Sequence, residues 1–386
     1  MKNAAPARRL LYVGQTPAQG TGSPVIVWRH LRRLAAEDWA ISVVAEQGQA
    51  SAACAEAGWS VLSLPLRRPW WPPYRSTSPE WLRRLRMRLL AREVRRQLPA
   101  PPDAVLGYLA AHDDFPAELA AACATALRRP LTLLIHDDAS SFESSTARRA
   151  RHRRLLASAC TNWFVTPALA AASPTPLNRR QILLPLPEGW SGKPASPPPA
   201  GMPMRLYYAG HLWPAQVPLL ARLARALALC SARLVIMTRP GPALQDLAAA
   251  APIEHQPPFA DNHAALAHLA AHATAVIVCY AETVAAMTWS ATSFPSKFSE
   301  YCHLGLPVAL VAPRATALGS WAAQNAFADF FDPADPAALD SAFSAWALGL
   351  RDPAVWSARA AVSLRLASNE FSPVRIHRAF ADALLS

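Results

Sequence analysis

Residues 293–313 read SFPSKFSEYCHLGLPVALVAP, a loop, a short helix, a glycine stop and a buried strand. Ser293 and Ser296 are placed to cap that helix, Pro295 suits its entrance, and Gly305 with Pro307 ends it. Lys297 and Glu300 then stand within one turn of each other. An ammonium beside free amides at the positive end of a helix dipole suits a diphosphate. A carboxylate one turn further on can accept hydrogen bonds from vicinal sugar hydroxyls. The same two residues could also form a surface ion pair on a capped helix. Lysine is scarce, however: Lys2, Lys193 and Lys297 are the only three beside a large arginine load. An ammonium at this helix entrance therefore hints at selected chemistry.

Other candidates lie at the ends of apolar runs. The run PLTLLIHDD ends in His136, Asp137 and Asp138, and Asp113 and Asp114 end its neighbour. Such carboxylates could take a proton from an attacking hydroxyl, although Asp equally favours turns and caps. The loop at 14–23, GQTPAQGTGS, offers small residues, Gly22 among them, where a ligand could approach the backbone. It is not a G-x-G-x-x-G fingerprint, and its second half also reads as a turn and N-cap before Pro24. His268 and His272 share a helix face near His263, but no H-E-x-x-H pattern accompanies them and no metal site is expected. Trp70 and Trp71 could stack on a sugar ring or pack in a proline-stiffened loop.

These residues must be positioned by alternating strands and helices. Apolar runs such as LLYV, ISVVA, AVLGYL and LTLLI alternate with helical patterns over 24–37, 116–127 and 146–158, the rhythm of parallel βαβ units. Residues 187–203 are dense in Pro and without periodicity, which reads as a semi-rigid connector. The rhythm then restarts with MRLYYAG, RLVIM, TAVIVCY and PVALVA. The expected fold class is α/β, with two doubly wound, Rossmann-like domains facing a cleft. Their bounds are 1–187 and 204–370, joined by a linker over 188–203, with a crossover helix over 371–386.

Composition agrees with a globular chain of that kind. Of 386 residues 52% are hydrophobic and 17% charged, with 14 Gly and 37 Pro, which excludes collagen, coiled-coil arrays and charged low-complexity tails. The formal charge of +12 suits an anionic partner, or reflects a biased nucleotide composition. No RNP-like aromatic signature or zinc-finger spacing accompanies the basic residues, so nucleic acid is not the expected partner. Six scattered cysteines without a C-x-x-C pair read as buried thiols. The first strand follows the N-terminus closely, and no run is apolar enough to span a bilayer, so a cytoplasmic protein is expected. Residues 79–98 place Trp81, Leu82, Leu85, Leu89, Leu90, Val94 and Leu98 at helical spacing among seven arginines. That helix could rest on anionic lipid or pack on a core with a solvated arginine face.

The spacing Pro295, Lys297, Glu300, Tyr301, Gly305, Pro307, Val308 resembles the donor motif P-x-K-x-x-E-Y-x-x-x-G-x-P-V of GT-B-fold, group 1 (family 4-like) glycosyltransferases. The opening strand and loop, the strand end at His136 and Asp137, MRLYYAGHL and the terminal segment FSPVRIHRAFADALLS resemble the family more weakly. The resemblance implies a transferase for nucleotide-diphosphate sugars, with no metal and no resident cofactor. Glu300 would hold the ribose hydroxyls, and Ser293, Ser296 and Lys297 would cradle the diphosphate. His136 would sit across the cleft near the transferred sugar. The sequence departs from the family at Thr292, where many relatives carry Glu. It departs again at Gly210, His211, Leu212, Trp213 and Pro214, where an Arg and a Lys are usual, and His211 could stand in for the Arg. The expected activity is hexosyl transfer to a hydroxyl of a glycan, lipid-linked oligosaccharide or secondary metabolite, with retention favoured by the resemblance. A non-catalytic GT-B-fold nucleotide-binding or scaffolding protein is the alternative.

Overall fold

The computed structural model describes residues 8–18, 23–46, 52–64, 79–109, 113–137, 146–199 and 201–384. The chain divides into two compact units, Met1–Leu184 with Ile376–Ser386, and Pro185–Arg375. Each is built on one parallel sheet with helices between the strands.

In the first unit the strands are β1 (Arg8–Val13), β2 (Trp39–Glu46), β3 (Ser60–Leu64), β4 (Ala104–Leu109), β5 (Leu131–Ile135), β6 (Thr161–Phe164) and β7 (Arg180–Ile182). Their order is β3-β2-β1-β4-β5-β6-β7. β4 and β5 are buried at every residue, as expected of strands covered by helices on both faces. The core joins Leu11, Val105, Leu133 and Phe164 to Leu119 and Cys123 of the helix Phe115–Leu127. The order reverses between β1 and β4, which makes their carboxyl ends a topological switch point.

The second unit repeats the plan with β8 (Met204–Ala209), β9 (Ala232–Met237), β10 (Ile253–Gln256), β11 (Ala275–Cys279), β12 (Val308–Val311) and β13 (Phe330–Phe331), in the order β10-β9-β8-β11-β12-β13. Its switch point lies between β8 and β11. The proline-rich stretch before β8 has no helix or strand, yet it is fastened to this unit. Ala195 N–H donates to Leu304 O at 2.8 Å, and Pro194 packs on Gly305. Gly305 takes the left-handed backbone, φ +65°, after the short helix, where glycine is favoured.

The basic segment forms the helix Glu80–Gln97. Met87, Leu90, Ala91 and Val94 are buried, and so are Arg83 and Arg86, whereas Trp81, Leu85 and Leu89 face outward. The apolar residues thus split between two faces of the helix. All six cysteines are free thiols, five of them buried. Among the described residues no helix is long and apolar enough to cross a membrane.

Candidate functional site

The helix Ser296–Cys302 is held by its aromatic residues. Phe298 is fully buried among Phe294, Trp321, Phe327 and Phe371. Tyr301 donates its hydroxyl to Ala209 O, the last residue of β8, at 2.9 Å. Tyr280, just past β11, donates to Ser293 O at 2.8 Å. The helix entrance is thereby tied to both strands of the switch point. Its N-cap is Pro295, with no side-chain cap. The serines expected to cap it instead flank that position: Ser296 is the first helical residue, and its carbonyl accepts from Ser299 Oγ at 2.7 Å.

Lys297 lies across the carboxyl end of β8. Its ammonium is 5.7 Å from the Tyr208 ring centroid, and any Cβ on Gly210 would overlap its Nζ and Cε. Gly210, at φ +127°, is thus required both by the backbone and by this approach. Among the described residues Lys297 makes no ion pair, so the pairing with Glu300 that the spacing permits is not formed. Burial alone lowers the Lys297 pKa to about 8, because a desolvated ammonium is disfavoured without an acid beside it. Glu300 is 6% exposed, and its carboxylate accepts the Glu188 N–H at 3.2 and 3.3 Å.

Gln216 was not evident from sequence as a site residue, yet it organises this edge. Its Nε2 donates to Cys279 O at 2.5 Å, and its Oε1 accepts from Trp213 N–H at 3.0 Å and lies 2.9 Å from the Tyr208 hydroxyl. One buried amide therefore joins the end of β11 to the loop after β8. A lone Gln carries no motif, and only the fold shows what it bridges. His211 on that loop is exposed and sits edge-on to Trp213 at 4.5 Å, with Trp289 and Tyr280 continuing the aromatic series. Thr292 is buried, its hydroxyl 3.5 Å from Trp289 O.

In the first unit His136 follows β5, is 6% exposed, and stands edge-on to the Tyr108 ring at 5.3 Å. Among the described residues its buried Nε2 has no hydrogen-bond partner. Burial lowers its pKa to about 4, so it is neutral at neutral pH. Asp137 lines a cavity of about 260 Å³ at the ends of β4, β5 and β6, together with Arg148, Arg149, His152 and Arg153. Asp114 does not face a reacting group. Its carboxylate is bound by Arg148 Nε at 2.9 Å, Arg151 Nε at 2.8 Å and His152 Nε2. Burial raises its pKa, but the bonds from His152, Arg151 and Arg148 outweigh that and hold it well below the usual range. Asp113 accepts the Phe115 N–H at 3.0 Å at a helix start. Gly22, Trp70, Trp71 and Asp138 lie outside the described residues.

His268 packs between Tyr207, Phe259 and His272, with Nε2 3.3 Å from the Tyr207 hydroxyl. Among the described residues no group of three or more His, Cys, Asp or Glu is placed to hold a metal.

No family model matches the chain, and no curated protein matches its sequence. Solved structures do match over nearly its whole length. A glycosyltransferase from Rickettsia africae superposes with a TM-score of 0.69 at 8% identity, covering 98% of this chain and 97% of that one. Anabaena HepE in complex with UDP and glucose gives 0.64 at 14% identity, covering 98% and 99%. The lipopolysaccharide outer core galactosyltransferase WaaB, in its apo form, gives 0.61 at 11% identity, covering 97% and 99%. The fold is GT-B, with two Rossmann-like domains.

Proposed function

We propose that the chain is a glycosyltransferase of hexosyltransferase type, moving a sugar from a nucleotide-diphosphate sugar to a hydroxyl of a glycan, lipid-linked oligosaccharide or secondary metabolite. The observation that carries the reading is Lys297, a desolvated ammonium with no acid partner among the described residues, lying over the β8 end where glycine alone fits. Ligands of open parallel sheets bind at such switch points. The GT-B fold and the UDP held by Anabaena HepE support the same donor class.

In this reaction the bond from the anomeric carbon to the diphosphate oxygen breaks and a bond to the acceptor oxygen forms. The acceptor proton passes to the departing diphosphate, as retention allows. Lys297 stabilises the charge that develops on that leaving group, with Ser293 and Ser296 beside it. Glu300 accepts from the ribose hydroxyls. Trp213, 44% exposed, offers a face on which a ring can stack, and His211 lies next to it. On the acceptor side, His136 presents an unbonded ring nitrogen and Asp137 a carboxylate. The reaction needs no metal and no resident cofactor, and the protein works in the cytoplasm, peripheral on the inner membrane face.

The test is thermal shift and turnover with UDP-, GDP- and TDP-sugars, on the wild type and on Lys297→Ala. Stabilisation and turnover by one donor, both lost in the variant, is the expected result. Stabilisation without turnover in the presence of plausible acceptors would favour the non-catalytic, nucleotide-binding reading, which Thr292 and the lack of an Arg and a Lys within the segment 210–214 support. A variant that keeps wild-type affinity would remove Lys297 from the site.

A further inference from the structure

Three helices of the first unit, Glu80–Gln97, Phe115–Leu127 and Thr146–Ser158, enclose a groove of about 580 Å³. Met87, Ala91, Ala121, Ala122 and Ala126 give it an apolar lining, and Arg84, Arg88, Arg92 and Arg154 also face it. Arg151, 4% exposed, lines it too, and its charge is met by Asp114 at 2.8 Å and Glu118 at 3.7 Å. Glu80 and Glu118 line the groove as well, so the arginines along it outnumber but do not exclude acids.

Next to this groove the first helix turns a second face outward. Trp81, Leu85 and Leu89 are one turn apart and 68, 46 and 40% exposed. Around the helix axis Arg88 and Arg92 fall between that stripe and the groove side. The helix has seven arginines and two glutamates. Both glutamates are occupied, Glu80 by Arg84 and Arg154, and Glu93 by Arg96. Arg88, Arg92 and Arg95 make no ion pair among the described residues.

We propose that this face is a docking surface for a bilayer rich in anionic phospholipid. Trp81, Leu85 and Leu89 enter the interface, and Arg88, Arg92 and Arg95 meet the headgroup charge. A soluble anion would use the arginines but leave the apolar stripe in water. A second copy of the chain, joined through the same patch about a two-fold axis, would set this arginine-rich face against itself. A bilayer satisfies both parts at once.

The proposal gives a surface to the peripheral placement proposed above, and its test needs no sugar donor, so the two can fail separately. Wild-type protein should sediment with phosphatidylglycerol-containing vesicles, release with salt, and ignore pure phosphatidylcholine vesicles. Each headgroup-facing arginine is worth roughly fivefold in affinity, so Arg88→Gln with Arg92→Gln should weaken binding about twenty-fivefold. Trp81→Ser with Leu85→Ser should weaken it as well, and since all four residues are exposed, the melting temperature should hold. Equal sedimentation with neutral and anionic vesicles, wild-type binding by the double arginine variant, or loss of a dimer in the ultracentrifuge when the stripe is changed would each overturn the proposal.

Discussion

The two units answer the same question in opposite ways: what to do with cations near the carboxyl edge of a parallel sheet. In the first, Arg148 and Arg151 converge on Asp114, and His152 joins them, so the charge is spent within the protein. In the second, Lys297 reaches the strand end with no acid beside it among the described residues, and burial already weakens its hold on its proton. A charged residue at a strand end is thus not by itself a sign of ligand binding. The absence of an internal counter-ion is the sharper sign, since a buried charge needs some partner.

If that contrast is right, removing the internal acid should cost stability, and removing the lone ammonium should cost function. Asp114→Ala should destabilise the protein by about 3–5 kcal/mol, because it leaves buried guanidinium groups uncompensated; denaturant unfolding measures it, and a loss below 1 kcal/mol would refute the structural role. Lys297→Ala should lower turnover about 10²–10³-fold, the usual cost of removing one group that stabilises developing charge, with no fall in the unfolding midpoint.

Acidity separates the units again. His136 is neutral in the fold, with a pKa of about 4 against an ordinary 6.5. Between those values the unfolded chain binds a proton that the native chain does not. Its contribution is therefore complete above pH 6.5 and lost as the pH falls toward 4, by about 3 kcal/mol in all. His136→Gln should flatten that part of the stability profile in chemical unfolding. Lys297 predicts the opposite direction for binding. Its charge is present below about pH 8 and lost above it, so donor affinity should fall as the pH rises through that range. Calorimetric titration would test this, and an affinity independent of pH from 7 to 9 would count against a phosphate contact.

Much of this architecture was legible in the chain. Fully buried parallel strands such as β4 and β5 are nearly continuous apolar runs, and the helix Thr146–Ser158 has the expected bounds. β13 is two residues long and carries no period to detect. The segment around Lys297 stood out through residue scarcity and spacing, but its cap did not: Pro295 occupies the position expected for a serine. Gln216, Tyr208 and the Tyr301 anchor acquire meaning only once β8 and β11 are adjacent. The two faces of the basic helix were likewise hidden, because periodicity reports that apolar residues recur, not which of them a neighbour covers.

The helix Pro373–Ala383 has a consequence for how the molecule is made. Phe380 is fully buried and stacks on His30 at 4.0 Å and on Trp163 at 4.6 Å, in the unit that the ribosome delivers first. That unit has a slot in its interior until Phe380 is synthesised, while the later-born unit already has all of its own residues. The half synthesised earliest is thus the half completed latest, and it depends longest on protection from aggregation.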